Sequence, residues 1–363
     1  MIPRIREKTL LEPSHIKPHC PGFEVIGVFN PGAVRFGDNI YLLARVAERP
    51  AEQRKGLVPS PRASSKEGAL HVEIDWLPAP EEDSMDVRVH YFPGNRMRLT
   101  FISYLKLVTL DPGGFNVLSI DEGPALFPRE EYEEFGIEDP RITYLEGTYY
   151  LTYVACSRGM GVSTALAETA DFTRFTRHGI IFPMENKDVV ILPEKAGGDY
   201  VAYHRPGGYY KFEYLSMQCA RSRDLIHWGR HSHLLSPRRG LWDSDKLGGG
   251  AVPLKTPQGW LELYHGVSSV TEDDPIGVYR AGAALFDLDD PGKLIARSKI
   301  PVLSPDRPDE KRGFVPDVVF PTACIYDEDP EYVLLFCGVC DERVKVIKLA
   351  LRDIMGSLDR PHT

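Results

Sequence analysis

At residues 136–155 the chain reads GIEDPRITYLEGTYYLTYVA, which places Glu138, Asp139 and Arg141 at the head of an apolar, strand-like run. Carboxylates are costly to bury unless they are paired or used. The same kind of position recurs along the chain. Asn30, Lys187 with Asp188, Lys246 and Asp317 also stand at strand heads, while Arg45, His204 with Arg205, and His265 stand at the far ends of the strands that follow. Brought together, they make a cleft with a few carboxylates and several cations. Paired acids in a sugar-sized cleft point to glycosidic-bond chemistry, in which one carboxylic acid protonates the leaving oxygen. The cations do not suit a simple hydrolase, because they repel an oxocarbenium-like transition state. Inorganic phosphate removes the conflict: it binds where Arg and Lys converge, and it is itself a nucleophile.

Positioning such residues requires a repeated scaffold, and the sequence contains one. NPGAVRFGDNIYLLARV reads as a strand, a polar turn and a second strand. The shape returns in DPRITYLEGTYYLTYVA, KDVVILPEKAGGDYVAYHRP, GGAVPLKTPQGWLELYHGV and FPTACIYDEDPEYVLLFCGV. Each turn has the polar or Gly-containing composition of a tight hairpin. A further strand with an Asp-containing turn follows in LKLVTLDPGGFNV, ALAETADFTRF, QCARSRDLIHW and AALFDLDDPGKLI, with IKLALRDIMGSL as a weaker fifth copy. Long helical periodicity is scarce. Small sheets repeated in this way predict an all-β, five-bladed β-propeller, a single catalytic domain over residues 1–363. Residues 47–99 break the repeat within the first blade. There LHVEIDW and DVRVHYF are expected to pair as an extra hairpin, overhanging the channel mouth or mediating assembly.

The formal charge of −9 argues against nucleic acid as a partner, since a phosphate backbone calls for a basic face. No stretch has the length of a membrane span, and the opening MIPRIREKTLLEPSH lacks a signal-peptide core, so a cytoplasmic location is expected. Cys337 and Cys340 form a C-x-x-C pair at the end of an apolar run, without a second ligand pair, and are read as structural thiols. No metal site is expected, because no tight ligand cluster is present.

FNPGAVRFGDNIYLLARV, GIEDPRITYLEGTYYLTYVA, NKDVVILPEK, YHRP, WDSDKLGGGAVPL, LYHGV and GFVPDVVFPTAC occur in one order from about residue 25 to the C-terminus. This series resembles glycoside hydrolase family 130, the β-mannoside phosphorylases and related hydrolases. The resemblance implies a five-bladed propeller in which Asp139 is the general acid, its proton relayed through a hydroxyl of the bound mannose. It implies phosphate contacts at Lys187, Arg205, Lys246, His265 and Tyr279, with Lys187 standing where the family often has Arg. It also implies that Asn30, Arg45 and Asp317 hold the mannosyl ring. The expected reaction is inverting phosphorolysis of a non-reducing-end β-mannoside to α-mannose 1-phosphate. The expected partners are thus a β-mannoside oligosaccharide and phosphate as co-substrate, with no cofactor. β-1,2-mannobiose or oligomannan is favoured over β-1,4-mannosyl-glucose or mannooligosaccharide, because the long insertion resembles that of the β-1,2-active members.

Other roles stay open at this level. Glu138 either contacts sugar or pairs with Arg141. Arg141 binds sugar or orients Asp139. Trp242 stacks on a sugar or packs in the core, and Asp243 lies beside the lysine. His204 reads as a satisfied inner-strand histidine, and Asp188 as the partner that orients Lys187. Two rival functions also stand: a hydrolase using Asp317 or Asp243 as base, and a non-catalytic sugar-binding propeller. A homo-oligomer is compatible with either.

Overall fold

Each hairpin closes locally, because its two apolar strands are separated by only a few polar residues. Leu145 pairs with Thr148 across Glu146-Gly147, and Phe36 pairs with Asn39 across Gly37-Asp38. The computed structural model describes residues 1–66, 69–79, 86–93, 96–207, 215–271 and 274–359. In it, five antiparallel blades follow one another along the chain, the first two joined into one sheet by a single parallel pairing of Gly136 with Ser103. Their innermost strands are Phe23–Phe36, Gly136–Leu145, Asn186–Ile191, the broken pair Lys246–Gly248 and Leu254–Thr256, and Val319–Tyr326.

One sheet face alone cannot be buried, so successive sheets pack face to face. Five apolar clusters mark the five junctions. Leu43 and Leu105 meet Ile137 and Tyr153 between blades 1 and 2. Leu166 and Phe182 meet Ile191 and Ala202 between blades 2 and 3. Val201 and Tyr203 meet Trp260 and Phe286 between blades 3 and 4. Leu263 and Ala283 meet Val319 and Leu335 between blades 4 and 5. Finally Val28 and Leu42 meet Leu334 and Phe336, so blade 5 packs on blade 1. This cyclic order is a five-bladed β-propeller. Burial on both faces explains why middle strands such as Ile102–Leu110 read as near-continuous apolar runs.

The weak fifth repeat has a physical reason. After Arg343–Ala350 the chain turns into the short helix Leu351–Gly356, and Leu358–Asp359 adds to the edge of blade 4. The outer strand of blade 5 is instead Arg6–Leu11, from the opposite end of the chain, paired Arg6 to Lys348. Backbone hydrogen bonds between Arg6–Leu11 and Arg343–Ala350 thereby close the ring.

The insertion departs from the expected pairing. LHVEIDW lies in Ala69–Pro78, which pairs in register with the preceding Leu57–Lys66. VHYF (Val89–Phe92) pairs with the following Arg96–Leu99. Each strand has a nearer partner than the other, and a shorter loop costs less entropy to close. Residues 67–68, 80–85 and 94–95 of the insertion lie outside the described residues. The first hairpin packs Val72 and Ile74 on Phe23 and Ile102, and Ala63 N–H donates to the Glu134 carbonyl at 2.7 Å. The second places Leu99 against Phe135, Val154 and Cys156 beside the head of blade 2.

Candidate active site

In four blades the polar residue at the head of the innermost strand adopts left-handed backbone: Asn30 (φ 46°), Asp139 (φ 48°), Asp188 (φ 58°) and Asp317 (φ 57°). Asn and Asp tolerate this region better than other non-glycine residues, which accounts for their recurrence. In blades 1, 2 and 3 these residues sit where the strand pairing slips, between Phe29 and Gly32, Glu138 and Arg141, and Lys187 and Val190. A bulge of this kind re-aims a side chain. Backbone strain held at one such point in several blades is characteristic of a functional site.

Asn30 and Asp139 meet across the blade 1–2 junction, Asn30 Nδ2 donating to Asp139 Oδ1 at 2.9 Å. Arg45 donates to the same oxygen at 3.0 Å and to Glu138 Oε1 at 2.7 Å. Its Nε reaches Ser103 Oγ at 3.1 Å, and its guanidinium lies 4.6 Å from the Phe29 ring centroid. Among the described residues no donor reaches Asp139 Oδ2, so that oxygen is left without a hydrogen bond. Burial pushes the Glu138 carboxyl up, opposed by Arg45 and reinforced by Asp139.

Arg141 is buried, and its side chain is 1% exposed. It donates to the carbonyls of Asp139 at 2.9 Å, Gly250 at 3.1 Å and Gly249 at 3.3 Å, tying blade 2 to blade 4. Of its two expected roles, orientation of the Asp139 backbone is the one with geometry behind it. The glycines it grips are required there. A Cβ on Gly249 would lie 2.5 Å from the Asp188 carbonyl, and one on Gly250 would lie 2.1 Å from the Leu263 carbonyl. Behind them Glu262 accepts from Gly250 N–H at 3.0 Å, and its other oxygen has no partner. Burial pushes the Glu262 carboxyl up to about 8.

The cations gather around Asp188. Arg205 Nε donates to it at 2.8 Å, Arg141 lies 3.6 Å away and His265 3.9 Å. Burial would raise this carboxyl, but Arg205, His265, Arg141 and Lys187 together hold it well below the usual carboxylate range. Asp188 thus partners Arg205 most directly, rather than orienting Lys187 alone. His265 donates from Nδ1 to the Gly249 carbonyl at 3.3 Å and stacks on Tyr279 at 5.8 Å. Burial, reinforced by the neighbouring arginines, lowers its pKa to about 3, so the ring is neutral at ordinary pH. Lys246 lies 5.0 Å from the Tyr279 ring centroid. Burial would raise the Tyr279 phenol, but Lys246, Arg88 and Lys187 outweigh it and lower it. Neither Lys187 nor Lys246 forms an ion pair among the described residues. The structure therefore brings Lys187, Arg205, Lys246, His265 and Tyr279 together, with two ammonium groups not neutralised at contact distance. Basic groups gathered in this way suit an anion.

Two expected contacts fall elsewhere. Asp243 is fully buried and accepts from Arg238 at 2.8 Å, Arg297 at 2.6 Å and Tyr264 OH at 2.9 Å. It is the centre of an internal ion-pair network, with no face left for a sugar or a nucleophilic water. Trp242 lies flat across the Gly266 and Gly282 positions, stacks on Tyr264 at 5.6 Å and donates to the Lys299 carbonyl at 3.2 Å. It is packed into blade 4. Asp317 stays beside the cluster: its backbone carbonyl accepts from Tyr279 N–H at 3.1 Å, and its half-exposed carboxylate lies 3.5 Å from Lys311. His204 stacks on Phe182 at 4.6 Å and bonds Asn186 and His231, away from the cluster. Burial pushes the Cys337 thiol up to about 12 and that of Cys340 to about 11, and both are buried and free.

Two participants escape sequence reasoning. Asp341 follows the second strand of blade 5 and lies close enough to Arg45 and Asp139 to feel both charges. Arg88 comes from the insertion and lies 3.6 Å from Asp341. Neither occupies a repeat position, so the repeat offered no cue. Among the described residues no group of three His, Cys, Asp or Glu is placed to hold a metal, and no helix is long and apolar enough to cross a membrane.

Fold and site define a β-propeller that gathers a carboxylate and several basic side chains around the heads of its inner strands. A sequence profile described as β-1,4-mannooligosaccharide phosphorylase, that of glycoside hydrolase family 130, matches residues 107–360, and the chain belongs to this family. It is 38% identical over 359 residues to a β-1,2-mannobiose phosphorylase of Listeria innocua, covering 98% of both chains. It is 36% identical over 247 residues to a 1,2-β-oligomannan phosphorylase of Thermoanaerobacter, covering 66% of this chain and 77% of that one. A solved structure of a β-1,2-mannobiose phosphorylase from Listeria innocua with β-1,2-mannobiose superposes with a TM-score of 0.84 at 36% identity. The match covers 96% of each chain.

Proposed function

We propose that this enzyme phosphorolyses β-1,2-linked mannosides, with mannobiose or short oligomannan as substrate. Phosphorolysis of β-mannosides is the activity named for its relatives, and this enzyme acts in that way. The observation that carries the reading is the pair of lysines, Lys187 and Lys246, set with Arg205, His265 and Tyr279 a short way from the Asp139 carboxyl. A hydrolase has no use for such a surplus of cations. The hydrolytic alternative also loses Asp243 as its base, because two arginines and Tyr264 already hold it.

In this reading Asn30 and Arg45 fix Asp139 through Oδ1, and Oδ2 supplies the proton. The proton passes through a hydroxyl of the bound mannose to the leaving glycosidic oxygen as the C1–O bond breaks. A phosphate oxygen, held by the lysines and Arg205, forms the new bond to C1 from the opposite face. Inversion gives α-mannose 1-phosphate and the shortened sugar. The proton carried in by hydrogen phosphate restores Asp139, so the cycle balances without a cofactor. The cation cluster is worth more in this buried setting than in water, where charges are screened.

The linkage assignment rests on the two β-1,2-active relatives. Its test is product analysis on β-1,2-mannobiose and β-1,4-mannosyl-glucose, with and without phosphate. Faster phosphate-dependent release from the β-1,2 substrate is expected. Faster release from the β-1,4 substrate would overturn the linkage, and phosphate-independent mannose from both would overturn phosphorolysis.

A further inference from the structure

The insertion brings a charged group to the site that the family profile, which begins at residue 107, does not cover. Arg88 stands at the foot of the hairpin Val89–Phe92/Arg96–Leu99, and its position is fixed. Its guanidinium makes two 2.8 Å bonds to Asp86, Nε to Oδ1 and Nη2 to Oδ2. Its own N–H donates to Asp86 Oδ1 at 3.0 Å, and its carbonyl accepts from Thr100 N–H at 3.0 Å. The remaining nitrogen, Nη1, points to Asp341 Oδ2 at 3.6 Å.

This row crosses the mouth. On one side Asp341 lies near Arg45 and Asp139, where the donor sugar sits in the proposed reaction. On the other, Arg88 and Asp86 lie near Tyr279 and Lys246, on the phosphate side. The row spans the junction where the bond is broken, and the side chain of Arg88 is 29% exposed, so a ligand can reach it. Its charge identifies the ligand. Arg88 faces two carboxylates, Asp86 at 2.8 Å and Asp341 at 3.6 Å, so its own charge is answered locally and does not call for an anion. The row offers donors and acceptors side by side, the pattern that reads a polyol: the guanidinium gives hydrogen bonds to hydroxyl oxygens and the carboxylates take them from hydroxyl protons.

We propose that Arg88, oriented by Asp86, contacts the hydroxyls of the sugar on the leaving-group side, so that the insertion determines which acceptor the site takes. This rests on the β-mannoside reading above but assigns a residue that the reading does not use. The experiment compares wild type with Arg88→Ala and Arg88→Lys, after wild type has been tested for phosphate-dependent cleavage of β-1,2-mannobiose. Absence of that cleavage in wild type would count against the parent reading, and calorimetric binding of the disaccharide to each protein would then decide for Arg88. Otherwise initial rates are measured with disaccharide and phosphate varied separately. Arg88→Ala is expected to raise KM for the disaccharide about 10- to 100-fold, with KM for phosphate unchanged and partial recovery in Arg88→Lys. In the synthetic direction the acceptor KM rises and the mannose 1-phosphate KM does not. A rise confined to the phosphate KM, or no change in disaccharide KM or binding, would overturn the proposal.

Discussion

A single methyl group placed on blade 5 is expected to disable the acid on blade 2. Gly338 lies on the second strand of blade 5, where a Cβ would sit 1.7 Å from Asn30 Oδ1, 2.8 Å from its Cγ and 2.9 Å from its N. Ordinary contact begins near 3.4 Å, so Gly338→Ala drives the Asn30 amide away by about 1.5 Å in a close-packed interior that yields little. Asn30 cannot give way easily, because its backbone is fixed at φ 46° in a bulge. Its 2.9 Å bond to Asp139 Oδ1 is then lost, leaving Arg45 alone to position the acid. Misplacement of about 1 Å at a reacting group costs roughly 100-fold in rate, or about 2.7 kcal/mol in the barrier. Overpacking costs about 1–3 kcal/mol of stability, which a folded domain survives. The assay is kcat with saturating phosphate, alongside denaturant melts. Asn30→Gly keeps the left-handed backbone and removes the obstructed amide, so Gly338→Ala added to it costs little further activity. Activity of Gly338→Ala within about threefold of wild type, or full additivity with Asn30→Gly, would refute the reasoning.

Two further outcomes follow from the buried charges. Asp243→Asn leaves Arg238 and Arg297 without their carboxylate and is expected to destabilise the fold by about 3–5 kcal/mol. Denaturant unfolding measures this, and the KM values of the surviving enzyme stay at wild-type levels if Asp243 never touches substrate. Glu262 has its carboxyl raised from 4.5 to about 8 in the fold. Between these values the folded state holds the extra proton, so its contribution to stability is lost as pH rises through that window. Glu262→Gln keeps the acceptor for Gly250 N–H and removes the titration. Its stability gain over wild type should grow by roughly 1.4 kcal/mol per pH unit from pH 5.5 to 7.5. Parallel pH profiles of the two unfolding free energies would show that Glu262 does not titrate in this window.

The five blades were legible because hairpin turns and alternating apolar strands repeat at the same spacing. The repeat also placed Asn30, Asp139, Lys187 and Lys246 at strand heads, although nothing in it revealed the left-handed backbone of Asn30, Asp139, Asp188 and Asp317. Arg6–Leu11 was not legible as the closing strand of blade 5, since a pairing between chain ends has no local signature. Trp242 and Asp243 misled for a related reason. Adjacency to Lys246 in sequence suggested a shared site, but Trp242 and Asp243 lie in the turn before the strand Lys246–Gly248, and that turn packs them into blade 4. Asp243 turns inward to the arginines, and Trp242 lies against two glycines of its own blade. Arg88 lies in a segment without a repeat, where pairing could be guessed but not register, and Asp341 lies past the strand that the repeat defines.

The most direct test of the account follows β-1,2-mannobiose by proton and phosphorus NMR with wild type and Asp139→Asn, each with and without inorganic phosphate. The account predicts that wild type forms α-mannose 1-phosphate only when phosphate is present. It also predicts that Asp139→Asn, folded and still binding the disaccharide, loses about 1,000-fold or more of that rate, within the span expected for a lost general acid. Formation of α-mannose 1-phosphate at near wild-type rate by Asp139→Asn, or release of free mannose regardless of phosphate, would contradict it.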